Sequence, residues 1–308
     1  MRFSAEVHFP TFKKFFGWLW ENLRKPIGWF ILIAIGTCVG NVLSMEFMYS
    51  EDNTGSDATA ITEEGSDTAV AETEACNIAR LSIDGDILPY YGANYDGSGN
   101  DPVYAVDPET TLYNIKTAEN NKDIKGIIAV INSYGGDGSA GSTIANALKN
   151  SKLPTASYIR SAGNSAAYLI ATGADTIIAS PWSDVGSIGV TMSYLDNTAL
   201  NKKEGLTFVP LAAGKYKDYT NPDKPLTADE RTLLERDLRI MHQQFIKEVA
   251  SNRGLTVDVV TKVADGSSMP GALALQNKLV DQLGDEETAR AWFAKKLGIP
   301  NKDVIFCE

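Results

Sequence analysis

From Pro26 to Met45 the chain runs twenty residues, PIGWFILIAIGTCVGNVLSM, without a charged side chain. At about 1.5 Å per helical residue this run reaches roughly 30 Å, the thickness of a bilayer's hydrocarbon core. A buried core helix would be amphipathic at its edges, and a cleaved signal peptide would have a shorter leading region and a small-residue cleavage site. The run has neither character and is expected to anchor the chain in a membrane. Arg2, Lys13, Lys14, Arg24 and Lys25 precede it, whereas residues 46–75 hold no Lys or Arg. That asymmetry leaves residues 1–25 in the cytoplasm and exports the remainder, a single pass through the cytoplasmic (inner) membrane. Residues 46–75 are acidic, rich in Thr, Ser and Ala, and without periodicity. They cannot bury enough apolar surface to order themselves, and are expected to form a flexible tether.

From Cys76 to the end, residues 76–308, the pattern is that of a folded domain. Short β-rich runs (NIARLSIDGDI, KGIIAVINS, TASYIRS, DTIIAS) alternate with helical stretches near 107–120, 139–150 and from about 164. Alternation of this kind predicts an α/β fold of βαβ units with a largely parallel sheet. GSIGVTMSYL and LTFVPLAAG are read as further strands. Thr227 and Glu230 form a capping box before a long helix with Leu234, Leu238, Met241, Phe245 and Val249 as its apolar stripe, and Gly254 is its stop.

The chemistry is bounded first by what is scarce. An excess of 39 Asp+Glu over 28 Lys+Arg argues against a nucleic-acid partner, which needs a basic face. The chain has three cysteines, none in a C-x-x-C pair. Cys76 and Cys307 bracket the folded domain and either pair in an oxidising compartment or stay free thiols. Of the two histidines, His8 precedes the anchor and His242 has no motif around it, which removes the support for a Ser-His-Asp triad. No metal-binding His cluster, phosphate loop or dinucleotide fingerprint is present, so no cofactor or metal is expected.

What remains is a series of small-residue turns, each after a predicted strand. Ser133-Tyr134-Gly135-Gly136 offers backbone N–H groups unobstructed by side chains, suited to holding an oxyanion. Ser165, in Asn164-Ser165-Ala166-Ala167-Tyr168, sits near a helix N-terminus, where negative charge is favoured; the alternative is a helix cap. Gly186-Ser187-Ile188-Gly189-Val190 and Gly214-Lys215-Tyr216-Lys217-Asp218 follow. Lys217 is an ordinary surface lysine unless a dry setting removes its proton near neutral pH.

Taken in order, SYGG at 133–136, NSAAY at 164–168, VGSIGV at 185–190, GKYKD at 214–218 and the tail 264–284 resemble the signal peptide peptidase A (protease IV) family of serine peptidases over residues 76–300. The resemblance implies a crotonase/Clp-protease-like fold of repeated ββα units behind one transmembrane helix. It makes Ser165 the nucleophile, Lys217 the general base, and Ser187 the hydroxyl that holds the lysine. Gly136, or less favourably Gly135, becomes the oxyanion donor, together with the Ala166 N–H. It further implies ring-shaped homo-oligomers in which serine and lysine meet across a subunit interface, acting on cleaved signal peptides and other small or unfolded membrane-associated chains. Tyr134, Ala166 and Ala167 stand where the family pattern has proline and two glycines. Two other readings compete: an inactive membrane scaffold on the same fold, and a crotonase-type acyl-CoA enzyme, which the anchor opposes.

Overall fold

A computed structural model describes residues 76–90 and 105–307. The expected cytoplasmic segment, anchor and tether therefore lie outside the described residues. The sheet is built outward from the most apolar run of the domain, β3 (Gly126–Gly136). Ile127, Ala129 and Ile131 face one side and Ile128 and Val130 the other, all buried, as in a strand covered on both faces. β1 (Ile78–Ile87) and β4 (Thr155–Asn164) flank it in parallel. β2 (Ala105–Val106) extends the sheet beyond β1, and β5 (Thr176–Ala179) and β8 (Gln282–Leu283) extend it beyond β4.

Parallel neighbours require crossovers, and helices supply them. α1 (Pro108–Asn120) starts where the Asp107 carboxylate accepts the Thr110 N–H, with proline in the first turn; α2 (Gly138–Lys149) starts where Asp137 accepts the Ala140 N–H. With α3 (Ala166–Ala171) they cover one face of the sheet through Ile115, Ile144, Leu148 and Tyr168. The opposite face is closed by Ala289 and Phe293, which pack on Ile78, Ile128 and Val130.

β4 is shared. Its residues 156–159 pair with β5, whereas residues 162–164 turn away and pair with β6 (Asp184–Gly186), which then runs antiparallel to β7 (Ser268–Pro270). The end of β4 thus leaves β5 while Gly163 stays paired with Ser133 of β3, and the turn that follows it lies beside Gly186, whose loop is in turn held to Ser267. Four more helices are α4 (Thr198–Lys203), α5 (Ala228–Arg253), α6 (Val257–Thr261) and α7 (Gly271–Gln276), and α8 (Glu286–Leu297) carries Ala289 and Phe293.

The two ends of the domain are fastened together. Cys76 and Cys307 form a disulfide with Cα atoms 5.1 Å apart, settling the alternative that the sequence left open. Around it the Asn77 and Ile78 N–H groups donate to Ile305 O, and the Cys307 N–H donates to Ile78 O.

Two expected strands are absent. GSIGVTMSYL is extended only at its start, where β6 ends, and LTFVPLAAG forms no strand. Their residues have β-forming side chains but no neighbouring strand among the described residues, and Leu195, Leu206, Val209 and Leu211 are exposed, the last at 95%. The stripe of α5 is likewise buried only in part. Leu234, Phe245 and Val249 are buried, but Met241 is exposed and Leu238 half-buried.

Candidate active site

Ser165 occupies a sharp strand-to-helix turn between β4 and α3, with φ 53° and ψ −124°. A non-glycine residue held there costs on the order of 1–3 kcal/mol and persists only where its surroundings impose it. The Ser165 N–H donates to Gly186 O at 2.8 Å, and its carbonyl accepts the Leu169 N–H at 3.0 Å. It stands at the N-cap position of α3, but its hydroxyl makes no capping hydrogen bond. Below it Tyr168 is fully buried, its hydroxyl donating to Leu279 O at 2.8 Å and its ionisation opposed by burial.

The glycine turn at the end of β3 lies against this serine. Gly135 (φ 112°) and Gly136 (φ 148°) adopt conformations open to glycine, and both lack room for a methyl. A Cβ on Gly135 would lie 2.7 Å from Ser165 Cβ and 3.1 Å from Ala166 N; on Gly136 it would lie 2.1 Å from Ile87 O. The Gly135 N–H is already committed to Ser133 Oγ at 3.0 Å. Ala166 is the first residue of α3, so its N–H has no intrahelical partner. The methyl of Ala166 points toward Gly141 of α2, where a Cβ would be only 3.0 Å away. Glycine at position 141 thus leaves room for the Ala166 methyl. Ala167 is fully buried, while Tyr134 stands exposed beside the glycines.

A cavity of about 720 Å3 opens at Ser165, Ala166 and Gly136 and runs between α2 and α5, past Gly189 and Val190. The Gly186–Val190 loop is braced from two sides. Ser187, at φ 48°, donates its hydroxyl to Gly266 O at 3.1 Å and its N–H to Ser267 O at 3.0 Å, and His242 Nε2 lies 3.2 Å from Ile188 O. Asn164, just before the serine, donates its amide to Asp184 at 2.8 Å.

Lys217 is not brought to this cavity by its own chain. It sits in an exposed turn, with its N–H donating to Gly214 O at 3.2 Å, and does not line the cavity. The neighbouring Lys215 is engaged otherwise. It pairs with Asp229 at 2.9 Å and lies over the Tyr216 ring, and hydrogen bonds to Tyr216 and Asp229 raise its pKa, which favours the charged form. One chain thus assembles Ser165, Gly135, Gly136, Ala166 and the Ser187 loop, and holds Lys217 apart. Of the cavity face of α5 (Ile240, Met241, Gln244, Phe245, Glu248), the sequence singles out Met241 and Phe245 as part of the apolar stripe, and misses Ile240, Gln244 and Glu248, a second row at four-residue spacing beside it.

Among the described residues no group of three or more His, Cys, Asp or Glu side chains could hold a metal ion. Residues 147–299 match the model of peptidase family S49. A protein named as a protease in Methanocaldococcus jannaschii is 31% identical over 230 residues, 74% of this chain and 73% of its own length. One named as a signal peptide peptidase SppA in Enterococcus faecium is 29% identical over 197 residues, 63% of this chain and 57% of its own length. Among solved structures, a ClpP1 mutant from Listeria monocytogenes overlaps 67% of this chain and 91% of its own at a TM-score of 0.42 and 15% identity.

Proposed function

Because this chain belongs to peptidase family S49, the signal peptide peptidase A family, we propose that it is a membrane-anchored serine endopeptidase acting on cleaved signal peptides and other small or unfolded membrane-associated polypeptides. The observation that carries this reading is Ser165, uncapped and at positive φ, at the mouth of a cavity beside a two-glycine turn. Ser165 Oγ attacks the peptide carbonyl while its proton passes to the neutral amine of Lys217. The oxyanion forms against the N–H groups of Gly136 and Ala166; collapse expels the amine product, which takes the proton from Lys217, and water repeats the sequence on the acyl ester. Gly136 serves rather than Gly135, since the Gly135 N–H is already engaged.

Lys217 comes from a neighbouring copy in a ring-shaped homo-oligomer. Its exposure, the exposed Leu206, Val209 and Leu211 just before it, and the half-covered start of α5 support this, since an apolar surface of that extent calls for a partner. Docking buries the amine, which favours its neutral form, and the Ser187 hydroxyl orients it. The divided pairing of β4 supports a crotonase/Clp-protease-like fold. The Cys76–Cys307 disulfide supports an extracytoplasmic location for the catalytic domain, as the charge bias around residues 26–45 does. Activity on a signal peptide is the test. Ser165→Ala and Lys217→Ala should each abolish cleavage while the oligomer still assembles, and near-wild-type activity in either would overturn the dyad.

A further inference from the structure

The cavity beside Ser165 is larger than an aliphatic side chain fills, and its lining is uneven. Leu169, Val190, Met241 and Phe245 give it apolar walls, yet it also holds two carboxylates, Asp137 and Glu248, and no lysine, arginine or histidine. Asp137 is engaged in capping α2. Glu248 is half-buried, and its hydrogen bond is to the Gln244 amide, one turn earlier on α5, at 2.7 Å. No cation pairs with it among the described residues. Ile240, Gln244 and Glu248 share one face of α5, which sets Glu248 about 12 Å along the axis from Ile240, its side chain leaning back toward the helix N-terminus. A ligand group with an apolar stem and a cationic tip matches this lining, with Leu169 and Phe245 as contacts for the stem and the Glu248 carboxylate as the partner for the tip.

We infer that Glu248 makes this cavity a subsite for lysine or arginine at the residue whose carbonyl Ser165 attacks. The enzyme then cuts after lysine or arginine in the peptides it takes. This rests on the peptidase reading above and names its substrate preference. An aliphatic residue leaves the carboxylate in the cavity without a counter-charge, so both stem and tip contribute to selection.

The test uses the full-length protein and two peptides identical except for lysine or norleucine at that residue, since norleucine keeps the stem and removes the amine. Wild type should favour lysine by about tenfold in kcat/KM, and Glu248→Gln should reduce that ratio to about one. Glu248→Arg should shift the preference to a glutamate peptide, an effect that poor folding cannot imitate. Binding of the same peptides to Ser165→Ala, with and without Glu248→Gln, separates the two proposals. Cleavage of both peptides with a ratio independent of residue 248 overturns the subsite and leaves the peptidase standing. Glu248-dependent binding of the lysine peptide, with no Ser165-dependent hydrolysis, upholds the subsite and overturns the peptidase. Neither cleavage nor a Glu248-dependent difference in binding overturns both.

Discussion

Ser165 bears a backbone strain that glycine would not. Ser165→Gly should therefore raise stability by about 1 kcal/mol, the relief of positive φ exceeding the added freedom of the unfolded chain, while abolishing activity. Thermal unfolding would show a rise of about 2–4 °C, and a fall would mean that the hydroxyl contributes to the fold after all. Gly135→Ala should act in the opposite sense. Its methyl meets Ser165 Cβ at 2.7 Å, so the nucleophile turn must move, and kcat should drop by about a hundredfold or more with a stability loss of about 1–3 kcal/mol. These short-range features were readable in the sequence, because Ser165, Ala166 and the two glycines each lie at or just past the end of a strand. Glu248 was not readable as a cavity residue, because only the packing of α5 beside α2 and α3 sets it in the same cavity as Ser165.

Elements with partners in the same chain were legible, and elements without them were misread. β1, β3 and β4 satisfy one another, and α5 begins where its T-x-x-E capping box predicts. The 187–214 segment has β-type side chains, but propensity alone does not make a strand without a neighbour to accept its hydrogen bonds. At the start of α5, Glu230 is held down to about 2 by its hydrogen bond with Lys224 and by the Thr227 N–H. A depressed carboxyl stabilises the fold above its unfolded value and loses that contribution as pH falls through its folded value. The brace at the α5 start should thus be intact above about pH 4.5 and lost progressively toward pH 2. The difference in unfolding free energy between wild type and Glu230→Gln, followed with pH, should shrink across that window. A constant difference would remove Glu230 as its cause.

Across the whole domain, the Cys76–Cys307 bond closes a loop of 231 residues and adds to the backbone pairing that already joins the two ends. Loop-closure entropy sets its contribution at up to about 5 kcal/mol, so reduction should lower the melting temperature by about 10 °C. An unchanged melting temperature on full reduction would show that the backbone zipper alone holds the ends. On the proposed dyad, function depends on assembly more than on the disulfide, because one chain presents Ser165, the two-glycine turn and the cavity but keeps Lys217 exposed and out of the cavity lining. The most direct measurement mixes the two inactive variants, Ser165→Ala and Lys217→Ala, under conditions where subunits exchange. If the lysine acts in trans, each junction that joins an intact serine to an intact lysine regains activity, to about a quarter of wild type at equal proportions. Activity that stays at zero in mixed oligomers of demonstrated composition would contradict a dyad shared between copies.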